Sequence, residues 1–155
     1  MYRFDKLVSF VIPQAPHGKE RTRSVGTKHY TPDKTRKYES LVGQKCRAAM
    51  IFTETRRAEG PTPIRLEMTN YHPIPKSWPQ KDKERARKGL LLPTSQRLPD
   101  CSNVLKAIED GLNGIGYDDD AQIVQVSVCD FYGDRPRTEV SLFRVFLSSD
   151  YENDA

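Results

Sequence analysis

Two hydrophobic periods divide the chain. In "PIRLEMTNY" (63–71), Ile64, Leu66 and Met68 alternate with Arg65, Glu67 and Thr69, which predicts a strand with one buried face. "LVSFVIP" (7–13) predicts a short strand closed by Pro13. "AQIVQVSVCDFY" (121–132) and "RTEVSLFRVFL" (137–147) predict two more, and the "GDRP" between them reads as the turn of a hairpin. Helical spacing appears twice. After Thr31, a candidate N-cap, and Pro32, suited to a first turn, the residues Tyr38, Leu41, Val42, Cys46, Ala49 and Phe52 share a face, and Gly60 is the expected stop. The clearer helix is 101–113. Cys101, Val104, Leu105, Ile108 and Leu112 form an apolar stripe, with Asp100 as N-cap and Asn113-Gly114 as stop. At about 100° per residue, Ser102, Lys106, Glu109 and Asn113 form a second, polar stripe with Asp110 at its edge.

Between these elements lie two stretches without a core-forming period. "QAPHGKERTRSVGTKHYTP" (14–32) reads as a basic loop. Residues 73–99 contain "QKDKERARKG", charged and helix-prone with little to bury. Residues 76–98 are therefore expected to be a mobile basic insertion, or the solvated face of a helix. The order strand, helix, strand, long basic loop, helix, strand, strand predicts an α+β domain over 1–148, a small mixed sheet with two main helices packed on it. The tail 149–155 is expected to fray.

Length supports this: 155 residues make one ordinary domain. No run of about 18 apolar residues predicts a membrane span, and "MYRFDKLVSFVIP" does not resemble a signal peptide. Cys46, Cys101 and Cys129 have no metal-ligand spacing and no evident His partner, which suits reduced thiols in a cytosol. The net charge of +4 conceals a division. Residues 1–99 carry 21 Lys/Arg and 9 Asp/Glu, and the remainder 4 and 12. A basic surface for a polyanion beside an acidic centre would produce that division, and so would two halves that neutralise each other on folding.

The acids concentrate in "PDCSNVLKAIEDGLNGIGYDDDAQIV" (99–124), where Asp100, Glu109, Asp110, Asp118, Asp119 and Asp120 surround Lys106. Carboxylates brought within a few Å repel unless a cation or proton separates them. Mg²⁺ suits such a site, because it takes one or two carboxylates together with water and phosphate oxygens. Convergence is not guaranteed: a helix of about 12 residues is about 18 Å long, so Asp100 meets the later acids only if the chain runs back along it. Each residue also has a plainer use. Asp100 can cap its helix, "DDD" can be a solvated turn, and Lys106 can pair with Glu109 or Asp110. His17, His29 and His72 are scattered, and no Walker, GxSxG or strand-borne dinucleotide loop occurs, so no nucleotide cofactor is expected.

The ordered set Pro99-Asp100, Asn103, Lys106, Asp110, Leu112-Asn113-Gly114, Asp119-Asp120 and Gln122-Ile123-Val124 resembles the pattern P-D-x-D-N-x-x-K, D-x-L-N-G, D-D-x-Q-[IV]-V of RusA-type Holliday junction resolvases. Outside this stretch, "IPQAPHGKERTRS", "HYTPDKTRKYE", "IPKSWPQKDKERARKG" and "FYGDRPR" also resemble family segments in the same order. The resemblance implies a homodimeric endonuclease, dependent on Mg²⁺ with Mn²⁺ as a substitute, that makes symmetric cuts in branched DNA such as a four-way junction. It further implies a cytoplasmic protein of phage or prophage origin. Its catalytic residues map onto Asp100, Lys106 and Asp120, and its metal carboxylates onto Asp100, Asp120 and the neighbouring Asp119. The chain departs from the family at Ser102, where the pattern places a carboxylate. Glu109, two turns along the same face, is the expected substitute ligand. Without that substitution, the alternative is a branched-DNA-binding protein with weak or no cleavage. Arg21, Arg23, Lys28, Lys76 and Arg97 are the candidate phosphate contacts.

Overall fold

The computed structural model describes residues 1–147, so the tail expectation lies outside the described residues. The elements are β1 (Tyr2–Ile12), β2 (Arg23–Val25), β3 (Lys28–Tyr30), α1 (Asp33–Phe52), β4 (Ile64–Pro73), α2 (Gln80–Arg87), α3 (Cys101–Leu112), β5 (Ile123–Gly133) and β6 (Arg137–Leu147). The four long strands form one mixed sheet in the order β1-β6-β4-β5, with β4 and β5 parallel and the other pairs antiparallel. This is the α+β domain that the periodicity predicts. The alternation along β4 appears as buried Ile64, Leu66, Met68, Asn70 and His72.

One expectation is corrected. β5 and β6 are not a hairpin, because β4 lies between them. β5 follows β4 after an excursion through α2 and α3, and a crossover of that kind delivers a strand parallel to its predecessor. β6 carries Val140 and Leu142 into the core and pairs on both sides. It therefore takes a central position, and 134–136 step over the end of β4. Adjacent strands lie about 4.8 Å apart, so three residues suffice to span two spacings.

The core sits between one sheet face and the helices α1 and α3. In α1 the buried residues are Thr35, Tyr38, Val42, Gly43, Cys46 and Met50. Phe52, expected on that face, is 89% exposed. The helix ends there, before Gly60, in a turn in which the Thr55 N–H donates to the Met50 carbonyl at 2.8 Å and Glu54 adopts φ 54°. This is the geometry of a Schellman cap. With a glutamate in the position that usually belongs to glycine, the stop carries no sequence signal. The N-cap is Pro32 instead of Thr31, without a side-chain cap.

α3 buries Val104, Ala107, Ile108, Gly111 and Leu112, while Cys101 is exposed. Its stripe is thus rotated slightly from the expected one, because the small residues Ala107 and Gly111 let α1 approach. A Cβ on Gly111 would stand 2.8 Å from the Glu39 carbonyl oxygen and 2.9 Å from Val42 Cβ. A Cβ on Gly43 would meet Ile115 Cδ1 at 2.6 Å. The two helices therefore cross almost backbone to backbone, which sets Glu39 beside Asp110.

The basic stretches also hold structure. β2 and β3 form a two-stranded ribbon turning at Gly26, φ 63°. Within 76–98, α2 buries Ala86, Trp78 packs edge-on against Tyr132 at 5.1 Å, and Arg87 binds Asp134 at 3.0 Å.

Candidate active site

Asp100 sits at the N-cap position of α3 with extended backbone, and its carbonyl accepts from the Val104 N–H at 3.1 Å. Its side chain makes no capping hydrogen bond, so the capping role is filled by the backbone alone and the exposed carboxylate projects into solvent. Ser102 is likewise exposed. Lys106 lies about one turn beyond Ser102, half-exposed, with its ammonium 3.8 Å from Asp110 Oδ1 and 3.9 Å from Asp120 Oδ2. Both separations are electrostatic contacts too long for a hydrogen bond.

The return of the chain is made by a compact turn. The Gly116 N–H and Ile115 N–H donate to the Leu112 carbonyl at 3.1 and 3.0 Å, and buried Tyr117 donates its hydroxyl hydrogen to the Glu109 carbonyl at 2.8 Å. Tyr117 also bridges to Ala58. Asp118, Asp119 and Asp120, indistinguishable as a run, then take three different places. Asp118 pairs with Arg57 at 2.8 Å and accepts from the Gly60 N–H at 3.0 Å. Asp119 accepts from the Ala121 N–H at 2.8 Å, capping a 3-10 turn over Asp120–Gln122. Asp120 faces Lys106.

The turn is clamped by Gln122. Its Oε1 accepts from the Asp118 and Asp119 N–H groups at 2.8 and 3.0 Å, and its amide donates to the Ala58 and Thr62 carbonyls at 3.2 and 3.1 Å. Sequence reasoning gave Gln122 no role, although Asp119-x-x-Gln122 is a capping-box spacing that signals this geometry.

Glu109 belongs to the same acidic face. Its carboxyl is raised above the ordinary glutamate range, first by burial and then by the charge of Asp120, with Asp110 adding and Lys106 opposing. The structure thus brings together Lys106, Glu109, Asp110 and Asp120 at the middle of α3. Among the described residues, no hydrogen bond or ion pair joins the Asp100 side chain to them. Six residues separate it from Lys106, about 9 Å along the axis.

Lys19 completes the cluster and was missed as a site residue. Its ammonium donates to Glu39 at 3.0 Å and to Asp110. Burial lowers its pKa, but the hydrogen bonds from Lys19 to Asp110 and Glu39 outweigh this and hold it above the ordinary lysine range. As one cation in a basic loop it carries no distinguishing sequence signal. The other loop cations, Arg21, Arg23 and Lys28, are exposed, as are Lys76 and Arg97.

The sequence profile of the family described as Endodeoxyribonuclease RusA matches residues 12–143. The chain belongs to the RusA family. The match encloses both helices of the core, the turn clamped by Gln122 and every member of the cluster around Lys106. The RusA-family chain is also 38% identical over 112 residues to YqaN of Bacillus subtilis (strain 168), described as uncharacterized, with 71% of this chain and 72% of YqaN covered. Membership makes a nuclease site the relevant comparison for the acidic face of α3.

Among the described residues, no group of three or more His, Cys, Asp or Glu stands close enough to enclose a metal ion. Mg²⁺ does not need such a group, since two carboxylates with water and phosphate oxygens complete its shell. Glu109 and Asp120 fit that requirement: they are hard oxygen donors near enough to raise the Glu109 pKa by repulsion, which a divalent cation would relieve. No helix among the described residues is long and apolar enough to cross a membrane.

Proposed function

We propose that this RusA-family chain is a Mg²⁺-dependent endonuclease that resolves four-way junctions or other branched DNA as a homodimer making paired cuts. The observation that carries the reading is Lys106, held half-exposed between Asp110 and Asp120 with Glu109 alongside. Asp120 and Glu109 are the metal carboxylates that the cluster supports, with Mn²⁺ as a substitute ion; Asp100 and Asp119, which the family resemblance also names as ligands, stand apart from that pair and would join it only by rearrangement. When bound, the metal would supply an activated water and offset charge on the leaving oxygen. Lys106, directed outward from α3, neutralises charge that builds on the phosphate. Asp100, whose side chain makes no capping hydrogen bond at the helix start, is the catalytic carboxylate that approaches DNA. Arg21, Arg23, Lys28, Lys76 and Arg97 hold flanking phosphates, with exposed side chains suited to counterion release. The three cysteines are free thiols, which suits a cytosolic protein, and a phage or prophage origin follows the family resemblance.

Glu109 takes the role of the carboxylate that Ser102 lacks. It lies two turns along the same face, and its raised pKa reflects burial first and then the charge of Asp120. Glu109→Gln is expected to lower the cleavage rate at least tenfold, about the loss of one polar contributor to charge stabilisation. The same substitution is expected to raise Tm slightly at neutral pH. A carboxyl whose folded pKa is raised costs stability once ionised, so that cost begins as pH rises past the unfolded value. Single-turnover cleavage and thermal melting of one preparation check both signs. Undiminished cleavage removes Glu109 from the site.

The function itself is tested by incubating the protein with a synthetic four-way junction in Mg²⁺ or EDTA. Binding in both and cutting only in Mg²⁺ is the expected result. Binding without cutting favours the second reading, a branched-DNA binder, which Ser102 motivates. The absence of both binding and cutting overturns the proposal.

A further inference from the structure

Lys19 has a geometry unlike that of the other cations in its loop. Its side chain is only 23% exposed, whereas Arg21, Arg23 and Lys28 are open to solvent. The segment carrying it is seated against both helices. The Lys19 N–H donates to the Asn103 carbonyl at 3.1 Å, the Glu20 N–H to Thr35 Oγ1 at 3.3 Å, and His17 Nε2 lies 3.1 Å from the same hydroxyl. Gly18 fits because a Cβ there would stand 2.9 Å from Pro99 Cβ. A lysine that gives up hydration and rotamer freedom to sit between two acids is committed to them and is unsuited to holding DNA.

Asp110 has two oxygens with different duties. Oδ2 takes Lys19, and Oδ1 faces Lys106 at 3.8 Å. Lys106 stands between that oxygen and Asp120 Oδ2 at 3.9 Å, so the relative pull of the two acids decides where its ammonium rests. Asp110 lies four residues after Lys106, the helical spacing at which such pairs close. It does not close to hydrogen-bonding distance here, and its other oxygen is taken by Lys19.

We infer that Lys19 is a positioning residue of the nuclease site: by engaging Asp110, it keeps Lys106 free for a phosphate oxygen. The inference rests on the proposed nuclease function and deepens it. It also makes the docked base of the basic loop part of the catalytic face, although Lys19 itself touches no substrate.

Lys19→Met is expected to lower kcat about tenfold while KM for the junction stays within about threefold, the pattern of an interaction lost in the transition state. Lys19→Arg, which can still engage both carboxylates, restores most of the rate. If Lys19 acts through Asp110, Lys19→Met/Asp110→Asn is no slower than Asp110→Asn alone. Multiplicative losses in the double variant overturn the inference, as does a loss confined to KM and its salt dependence. Lys19→Gln carries the same test where Lys19→Met is too unstable to assay. A second readout needs neither metal nor cleavage. In lysine-labelled protein, Lys19→Met should move the Lys106 ε-methylene NMR resonance, and Asp110→Asn should suppress that movement. An unmoved Lys106 signal overturns the inference even if the wild type cuts. A wild type that cuts no branched DNA removes the proposed function, and the resonance still decides whether Lys19 positions Lys106.

Discussion

Asp120→Asn should reduce single-turnover junction cleavage by a factor of about 10²–10³, the cost of removing one central charge-stabilising group, while junction binding in EDTA is kept. The substitution keeps the shape of the side chain and removes its charge. The local fold should tolerate it, because the turn is held by Asp118, Asp119 and Gln122 instead: Asp118 bonds Arg57 and the Gly60 N–H, Asp119 caps the 3-10 turn, and Gln122 clamps four backbone groups. Asp120 itself contacts Lys106 at 3.9 Å. Cleavage in Mg²⁺ and gel-shift binding in EDTA, measured on the same preparation, separate chemistry from affinity. Cleavage within about threefold of wild type would mean that Asp120 is not a ligand, and the proposed site would have to move.

Gly111→Ala should destabilise the fold by about 2 kcal/mol, in the range typical of overpacking a core, and lower Tm by about 4–8 °C. The added methyl would stand 2.8 Å from the Glu39 carbonyl oxygen and 2.9 Å from Val42 Cβ. The obstacle is partly backbone, so no rotamer change relieves it and the helices must separate. Glu39 and Asp110 both hold Lys19, and a wider α1–α3 crossing pulls them apart. Cleavage should therefore fall even at temperatures where the variant is folded. Calorimetric melting together with cleavage at 20 °C checks this. An unchanged Tm would show that the crossing has slack that the close approach conceals.

Much of this arrangement was legible along the chain. The alternation in 64–68 and the stripe of α3 specify which faces are buried, because burial of a face is a local pattern repeated with the period of the element. α3 was bounded almost to the residue by Asp100 and Asn113-Gly114. The end of α1 was not, because Glu54 performs at φ 54° a turn that glycine usually marks. The ribbon of β2 and β3 was missed, since two strands of three exposed residues each bury nothing and leave no period to detect. Strand order was misjudged for a different reason. "GDRP" is a sound turn sequence, but a turn fixes reversal and not adjacency, and β4 occupies the place beside both strands.

The candidate site divides in the same way. The sequence by itself determined its membership on α3: helical spacing alone places Ser102, Lys106 and Glu109 on one polar face, with Asp100 at the start of the helix. It also determined that acids would outnumber cations there. It could not rank Asp118, Asp119 and Asp120, because three identical side chains in a row have no local difference. Only the tertiary structure did so, by committing Asp118 to Arg57, Asp119 to a cap, and Asp120 to Lys106. Nor could spacing find Lys19, 91 residues before its partner Asp110. Periodicity records how a residue relates to its own element. A charge pair between distant segments depends on how closely two helices cross, and here two glycines set that distance.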